Sequence, residues 1–132
     1  MGSVVGTAID ASVVIAWQNP AHIFHNEATE MIMQADPPLY ISELNLAEVL
    51  VGIDPTDWET FIAGLTSIGF TISTPTATDI AQARIDSHLR MPDAHVIATA
   101  RTQGADTILS FDTALVSAAN TLGFTTNDLP EN

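Results

Sequence analysis

Short apolar runs alternate with longer segments of mixed polarity along the whole chain. The apolar runs have the length of buried strands, and they cover residues 3–9, 39–41, 70–73, 107–110 and 124–126. The segments between them predict helices over residues 11–18, 21–34, 56–67, 77–88 and 92–103, with two more after Ser42 and Asp112. Strands that alternate with helices indicate one α/β domain over residues 1–132, in which helices flank a mostly parallel central sheet.

Four acidic residues, Asp10, Glu48, Asp93 and Asp112, lie at the junctions of these elements or on helix faces with apolar neighbours. In open parallel sheets, ligand sites form beyond the carboxyl ends of the strands. Asp10 and Asp112 each fall at or just after such an end. Carboxylates that are crowded together repel each other unless a hard cation lies between them. The sequence therefore predicts a metal-dependent site.

Asp10 and Asp112 also have an ordinary explanation as helix N-caps. Aspartate caps well because its carboxylate accepts hydrogen bonds from the free N–H groups of the first turn. Ser12 could share the capping of the first helix, or it could hold the Asp10 carboxylate through a hydrogen bond. Ser110 is either structural or part of the polar rim of a site. The residues alone leave these alternatives open.

Glu48 and Asp93 lie within helices. A solvated face is the usual place for a helical glutamate, but the neighbours of Glu48 on its own face, Leu44 and Val51, are apolar and favour a buried edge. Asp93 lies in a first helical turn, where an acid is favourable in any case. It also heads an apolar stripe over residues 96–100, so it needs a partner such as a metal, an arginine or backbone N–H groups.

The charge balance is strongly acidic. Sixteen acidic residues face three arginines and no lysine, which gives a formal charge of −13. Such a surface repels nucleic acid phosphates and attracts divalent cations and basic protein segments, although adaptation to a high-salt cytoplasm would explain it equally well. Arg84, Arg90 and Arg101 are the only arginine or lysine side chains available to attract an anionic ligand. They are expected on the surface or in ion pairs, with none clearly aimed at the site.

The absence of cysteine excludes disulfides and thiolate chemistry. No segment has the basic and apolar pattern of a signal peptide or the length of a membrane span. A soluble cytoplasmic protein without a membrane partner is therefore expected.

The acidic residues lie in three blocks, which read AIDASVVIAW, ISELNLAEVLVG and MPDAHVIATARTQGADTILSFD. In their order and spacing, these blocks resemble the PIN-domain ribonucleases, specifically the VapC-type toxins of bacterial and archaeal toxin–antitoxin pairs. The resemblance covers almost the whole chain. Ser110 takes the Thr/Ser position that the family has two residues before its last aspartate, and Ser12 is expected to support Asp10.

The resemblance implies a PIN-like three-layer sandwich with Asp10, Glu48, Asp93 and Asp112 as its catalytic carboxylates. The three aspartates would hold the metal directly or through water, with Glu48 as a ligand or an orienting residue. Oxygen ligands without cysteine or a histidine pair suit Mg²⁺ or Mn²⁺ rather than zinc.

The function implied by the resemblance is metal-dependent hydrolysis of RNA by the toxin of a type II toxin–antitoxin pair. The ion would activate a water for in-line attack on the phosphodiester, leaving a 5′-phosphate and a 3′-hydroxyl. The expected partners are RNA, a cognate antitoxin whose basic segment enters the carboxylate cluster, and a second copy of the chain. Trp17, Ile23 and Phe24 are candidates for the homodimer surface, or they belong to the core.

Two other functions compete with this one. A catalytically silent PIN-like domain that acts as an acidic protein-interaction module would explain the scarcity of basic residues. A DNA-directed or flap-type nuclease would share the metal chemistry, but it would need helical clamps and basic tracts that so short a chain lacks.

Overall fold

A parallel five-stranded sheet lies at the centre of the protein. In the computed structural model, which describes residues 5–128, the strands are Thr7–Ile9 (β1), Leu39–Ser42 (β2), Phe70–Ser73 (β3), Thr107–Leu109 (β4) and Thr125–Thr126 (β5). They are arranged in the order β3-β2-β1-β4-β5, and every neighbouring pair is parallel. The predicted α/β class with a mostly parallel sheet is confirmed.

Helices connect the strands and cover the sheet. Those that the described residues form are Ala11–Gln18 (α1), His25–Gln34 (α2), Glu43–Leu50 (α3), Trp58–Ser67 (α4), Ala77–Ser87 (α5), Met91–Gln103 (α6) and Thr113–Thr121 (α7), with a short 3₁₀ turn at Pro55–Asp57. None of the helices within residues 5–128 is long and apolar enough to cross a membrane.

The sheet separates two buried clusters, which makes the fold three layers thick. Side chains alternate between the two faces of a strand. Ile9 and Leu109 therefore pack with residues of α1 to α4, whereas their neighbours Ala8 and Ile108 pack with residues of α5 to α7. Burial on both faces explains why the strands are continuous apolar runs.

The first strand is shorter than the sequence predicts. Pairing begins at Thr7, whereas the prediction began at Ser3, and residues 3 and 4 lie outside the described range. Gly6 precedes the strand with a φ of 83°, a conformation that favours glycine. A β-carbon there would lie 2.6 Å from the Pro38 carbonyl oxygen, so the chain passes too close to β2 for a larger residue.

Helix α2 begins at His25 and not near Ala21, where the prediction placed its start. The intervening residues form turns that use local hydrogen bonds instead of a helical ladder. The His22 N–H donates to the Asn19 carbonyl, and the Phe24 N–H donates to Nδ1 of His22. Side chains that bond nearby backbone groups compete with helix formation in this way.

Candidate active site

The strand order reverses direction between β1 and β4, and the carboxyl ends of these two strands form the centre of the site. Chain connections leave β1 toward β2 on one side and β4 toward β5 on the other, which opens a crevice at the switch point. Ile9 pairs with Leu109, and the N–H of Asp10 donates to the Leu109 carbonyl at 3.0 Å. Asp10 and the 110–112 segment are thereby brought to one edge of the sheet.

Asp10 is a buried carboxylate held by two serine hydroxyls. Its side chain is 6% exposed, and its Oδ2 accepts hydrogen bonds of 2.7 Å from the hydroxyls of Ser12 and Ser110. It stands at the N-cap position of α1, but its carboxylate accepts no capping bond from that helix. The capping alternative therefore does not describe its side chain, and the predicted bond from Ser12 is present.

The two serines are themselves fixed by the strand β4 and the loop that follows it. The hydroxyl of Ser12 accepts a hydrogen bond from the Phe111 N–H at 3.1 Å, and that of Ser110 accepts one from the Asp112 N–H at 2.9 Å. Asn127 accepts from the Ser110 N–H and donates to the Ser110 carbonyl, at 2.8 and 2.9 Å. Sequence reasoning missed Asn127, because no local pattern links it to a residue 17 positions earlier.

Asp112 does act as an N-cap, as its alternative explanation proposed. Its Oδ1 accepts a hydrogen bond of 3.0 Å from the Leu115 N–H in the first turn of α7. Its Oδ2 accepts no hydrogen bond from the described residues, and the side chain is half-buried. One oxygen therefore anchors the helix while the other remains available to a ligand.

Asp93, in the first turn of α6, is the carboxyl whose pKa the site perturbs most clearly. Burial is the largest cause and raises the pKa of Asp93 from an ordinary 3.8 to about 6, with further contributions from the charges of Asp112, Asp10 and Glu48. The nearby Arg90 guanidinium opposes this rise. The other three predicted acids therefore lie close enough to Asp93 to raise its pKa.

Glu48 reaches the site for a different reason from the one the sequence suggests. The expectation that Leu44 and Val51 draw it toward a buried edge is wrong, because those side chains are 36% and 85% exposed. Glu48 itself is exposed, and the buried face of α3 consists of other residues. Its Oε1 instead accepts a hydrogen bond of 2.9 Å from Nδ2 of Asn45.

Asn45 is a buried polar residue that joins three elements around Glu48. Its Nδ2 also donates to the Pro92 carbonyl at 3.1 Å, one residue before Asp93. Its Oδ1 accepts from the Ser42 hydroxyl at 2.6 Å, and that hydroxyl accepts from the Asn45 N–H as the cap of α3. This network ties α3 to the start of α6. Sequence reasoning missed Asn45, because its position about one turn before Glu48 is visible in the sequence but its burial is not.

The three arginines have different surroundings, and one of them adjoins the site. Arg101 forms an ion pair of 2.7 Å with Asp86, and Arg84 donates to a backbone carbonyl five residues farther on. Both follow the expectation of surface or ion-pair roles. Arg90 differs, because its charge acts directly on Asp93. Arg90 is therefore a cationic side chain beside the carboxylates.

The carboxylates provide oxygen donors of the kind that hard divalent cations bind. Within residues 5–128, no three aspartate, glutamate or histidine side chains converge closely enough to form a ready-made metal cage. The fit therefore rests on the chemistry of the side chains. Burial, and then the charges of the other three acids, raise the pKa of Asp93, and a bound divalent cation would offset both effects.

Fold and site together define an α/β protein with a carboxylate cluster at the switch point of a parallel sheet. The family model for the PIN domain matches residues 7–120, and the chain belongs to this family. No curated protein matches the sequence.

Several solved structures share this fold. VapC20 of Mycobacterium tuberculosis, described as a sarcin–ricin loop cleaving toxin, has a TM-score of 0.69 and 20% identity, over 90% of this chain and 96% of that one. A toxin–antitoxin complex from Klebsiella pneumoniae has a TM-score of 0.63 and 24% identity, over 81% and 87%. FitAcB from Neisseria gonorrhoeae has a TM-score of 0.60 and 16% identity, over 92% and 96%. At these identities the likeness concerns the fold.

Proposed function

We propose that this protein is a metal-dependent endoribonuclease that acts as the toxin of a type II toxin–antitoxin pair. The observation that carries the proposal is the buried Asp10 carboxylate, which two serine hydroxyls orient and which caps no helix. Burying a carboxylate is costly, so its presence at this edge of the sheet supports a role in binding or catalysis. Membership in the PIN family and the similar fold of toxins support the same function.

Asp10, Asp93 and Asp112 would hold the ion. Glu48 would act as a further ligand of the ion or as a residue that orients the other ligands. Mg²⁺ and Mn²⁺ suit these oxygen ligands. When bound, the ion supplies Lewis-acid activation of water and phosphate. No covalent intermediate is required, which agrees with the absence of cysteine.

The protein's own residues preorganise the carboxylates. The hydroxyls of Ser12 and Ser110 restrict Asp10 to one orientation, and Asn45 does the same for Glu48. Asp93 takes up a proton as the pH falls toward 6, because burial raises its pKa to about 6. Proton and cation therefore compete for this side chain, and low pH opposes cation binding.

Arg90 is proposed to meet an RNA phosphate at the edge of the site. The formal charge of −13 repels RNA over long distances, so a cation beside the carboxylates gives the backbone a local point of attachment. The same acidic surface would attract an antitoxin with a basic segment, which would compete for the carboxylates. RNA as the substrate places the proposed action in the cytoplasm.

A homodimer is also proposed, with the segment around Ile23 as its surface. Ile23 is 79% exposed, whereas Trp17 and Phe24 are half-buried and pack against the core. Of the three residues that the sequence offers for an interface, Ile23 is therefore the one that solvent contacts most.

The second candidate function is a silent acidic interaction module. The absence of a ready-made metal cage in the described residues and the scarcity of basic side chains favour it. In this case the protein would bind basic peptides but cleave no RNA.

An RNA cleavage assay separates these functions. Single-stranded RNA is incubated with Mn²⁺ or Mg²⁺, with and without EDTA, at low and at molar KCl, because salt screens the acidic surface. The enzyme is compared with Asp10→Asn and with Asp57→Asn, a matched change of an exposed aspartate. We expect metal-dependent cleavage that Asp10→Asn abolishes and Asp57→Asn retains. Cleavage that survives both EDTA and Asp10→Asn would reject the site.

A further inference from the structure

A cleft that none of the four proposed metal-binding acids lines opens at the carboxyl edge of β2 and β3. Its volume is about 360 Å³, within the usual range of small-ligand pockets. The residues that line it come from α3, the end of β3 and the loop after it, α5 and α6, and they are Glu43, Leu44, Ser73, Thr74, Pro75, Ile80 and His95. Its walls combine apolar side chains with a few polar groups.

The cleft adjoins the carboxylate site. Leu44 precedes Glu48 by one helical turn and lies on the same side of α3. His95 follows Asp93 by two residues on α6, and Asn45 binds the start of α6 to α3 between them. Because β2 alone separates β3 from β1, the cleft lies about 10 Å from the end of β1.

The cleft presents one carboxylate beside polar groups that can donate as well as accept hydrogen bonds. Nδ1 of His95 lies 2.7 Å from the Met91 carbonyl oxygen, which can only accept, so Nδ1 donates to it. Glu43 contributes an exposed carboxylate, and Thr74 contributes a hydroxyl that donates or accepts. A phosphate would be repelled here, whereas a group with several N–H donors would be bound.

We propose that this cleft is a base-binding subsite that accepts guanine from the nucleotide next to the scissile phosphate. The inference rests on the proposed ribonuclease function. Guanine presents two adjacent N–H donors on its Watson–Crick edge, which a carboxylate such as Glu43 accepts together. Leu44, Pro75 and Ile80 would contact the faces of the base, as apolar side chains do with splayed single-stranded bases. Adenine and cytosine offer one amino group, and uracil offers none.

The test measures base preference and not overall activity. Single-stranded RNAs that contain one guanosine or one inosine in a uridine background are cleaved, and the ratio of their kcat/KM values is compared. Inosine lacks the 2-amino group, so the wild-type protein should prefer guanosine by roughly 5- to 150-fold. Glu43→Gln should bring the ratio close to one. Glu59→Gln, which changes another exposed glutamate in the first turn of a helix, should retain it.

A binding measurement keeps the inference testable by itself. Guanosine and uridine monophosphates are titrated into the wild-type protein in molar KCl, and the amide signals of Thr74 and His95 are followed by NMR. We expect shifts with the guanosine nucleotide that Glu43→Gln removes. If wild type cleaves no RNA yet shows these shifts, the nuclease proposal fails and the subsite stands.

Two outcomes would overturn the subsite. In the first, RNA is cleaved with the same base preference by wild type and Glu43→Gln. In the second, neither nucleotide moves the cleft signals, while a hexa-arginine peptide does and loses affinity in Glu43→Gln. The second result would assign the cleft to a basic protein partner and not to RNA.

Discussion

Replacing Asp93 with asparagine should stabilise the protein at neutral pH. The pKa of Asp93 is raised from 3.8 to about 6, mainly by burial and then by the charge of Asp112. Each pKa unit corresponds to about 1.4 kcal/mol, so ionising a fully shielded Asp93 would cost the folded state about 3 kcal/mol. The side chain is half-buried, and solvent screening reduces this cost to about 1–2 kcal/mol. The neutral amide of an asparagine at this position would have no charge to desolvate.

The sign of the pH dependence follows from the raised pKa. The folded protein binds the Asp93 proton more tightly than the unfolded chain does, so protonation of Asp93 favours folding. This contribution is fully present below pH 3.8 and is lost as the pH rises through 6. The stability difference between Asp93→Asn and wild type should therefore grow between these two values and then remain constant.

Thermal unfolding in EDTA, followed by circular dichroism from pH 5 to pH 8, measures this difference. The pI of about 4.1 makes lower pH unsuitable, and at pH 5 about half of the difference should already be present. At pH 7.5 we expect Asp93→Asn to melt about 4–8 °C above wild type. Asp57→Asn controls for the loss of any negative charge. Equal melting temperatures of Asp93→Asn and Asp57→Asn at pH 7.5 would refute the reasoning.

Two further substitutions probe the supports of the site. Ser110→Ala removes one of the two hydroxyls that donate hydrogen bonds to the Asp10 carboxylate. We expect the free energy of unfolding in urea to fall by about 1–2 kcal/mol and kcat to fall roughly tenfold or more. An unchanged kcat would contradict the positioning role of Ser110. Arg90→Gln should raise KM for RNA severalfold and move the acidic limb of the pH–rate profile to higher pH, because Arg90 lowers the pKa of Asp93. Arg101→Gln, about 12 Å beyond Asp93 along α6, should do neither, and equal effects of the two changes would contradict the proposal.

Local chemistry explains why most elements were predictable from the sequence. Helix α1 and strand β3 have the predicted limits, and Ser42 caps α3 as expected. Buried strands between turn residues, and helices between caps, are determined by neighbours in the sequence. The break after α1 was predicted, but the turns over residues 21–24 were missed because local side chains satisfy their backbone groups without a distinctive composition.

The surroundings of the site were less predictable because they depend on which helix face turns inward. α3 has apolar residues on several sides, and the sequence does not show that Asn45 is buried while Val51 is exposed. Arg90, by contrast, is the N-cap of α6 only three residues before Asp93, so its proximity to that carboxyl is local and could have been found from the sequence. Asp10 could be singled out by sequence, but only the packing of β1 against β4 distinguishes its role from that of a cap.

The pairing of β1 with β4 also has a consequence for synthesis of the protein. Asp10 and the Ser110 hydroxyl that holds it are 100 residues apart in the chain. At about 5–20 residues per second, a ribosome adds Ser110 some 5–20 s after Asp10. During this interval the emerging chain contains β1 without the strand that completes its site. In a nascent chain the Asp10 carboxylate therefore lacks the hydroxyl of Ser110, and the site is completed only once translation has passed β4.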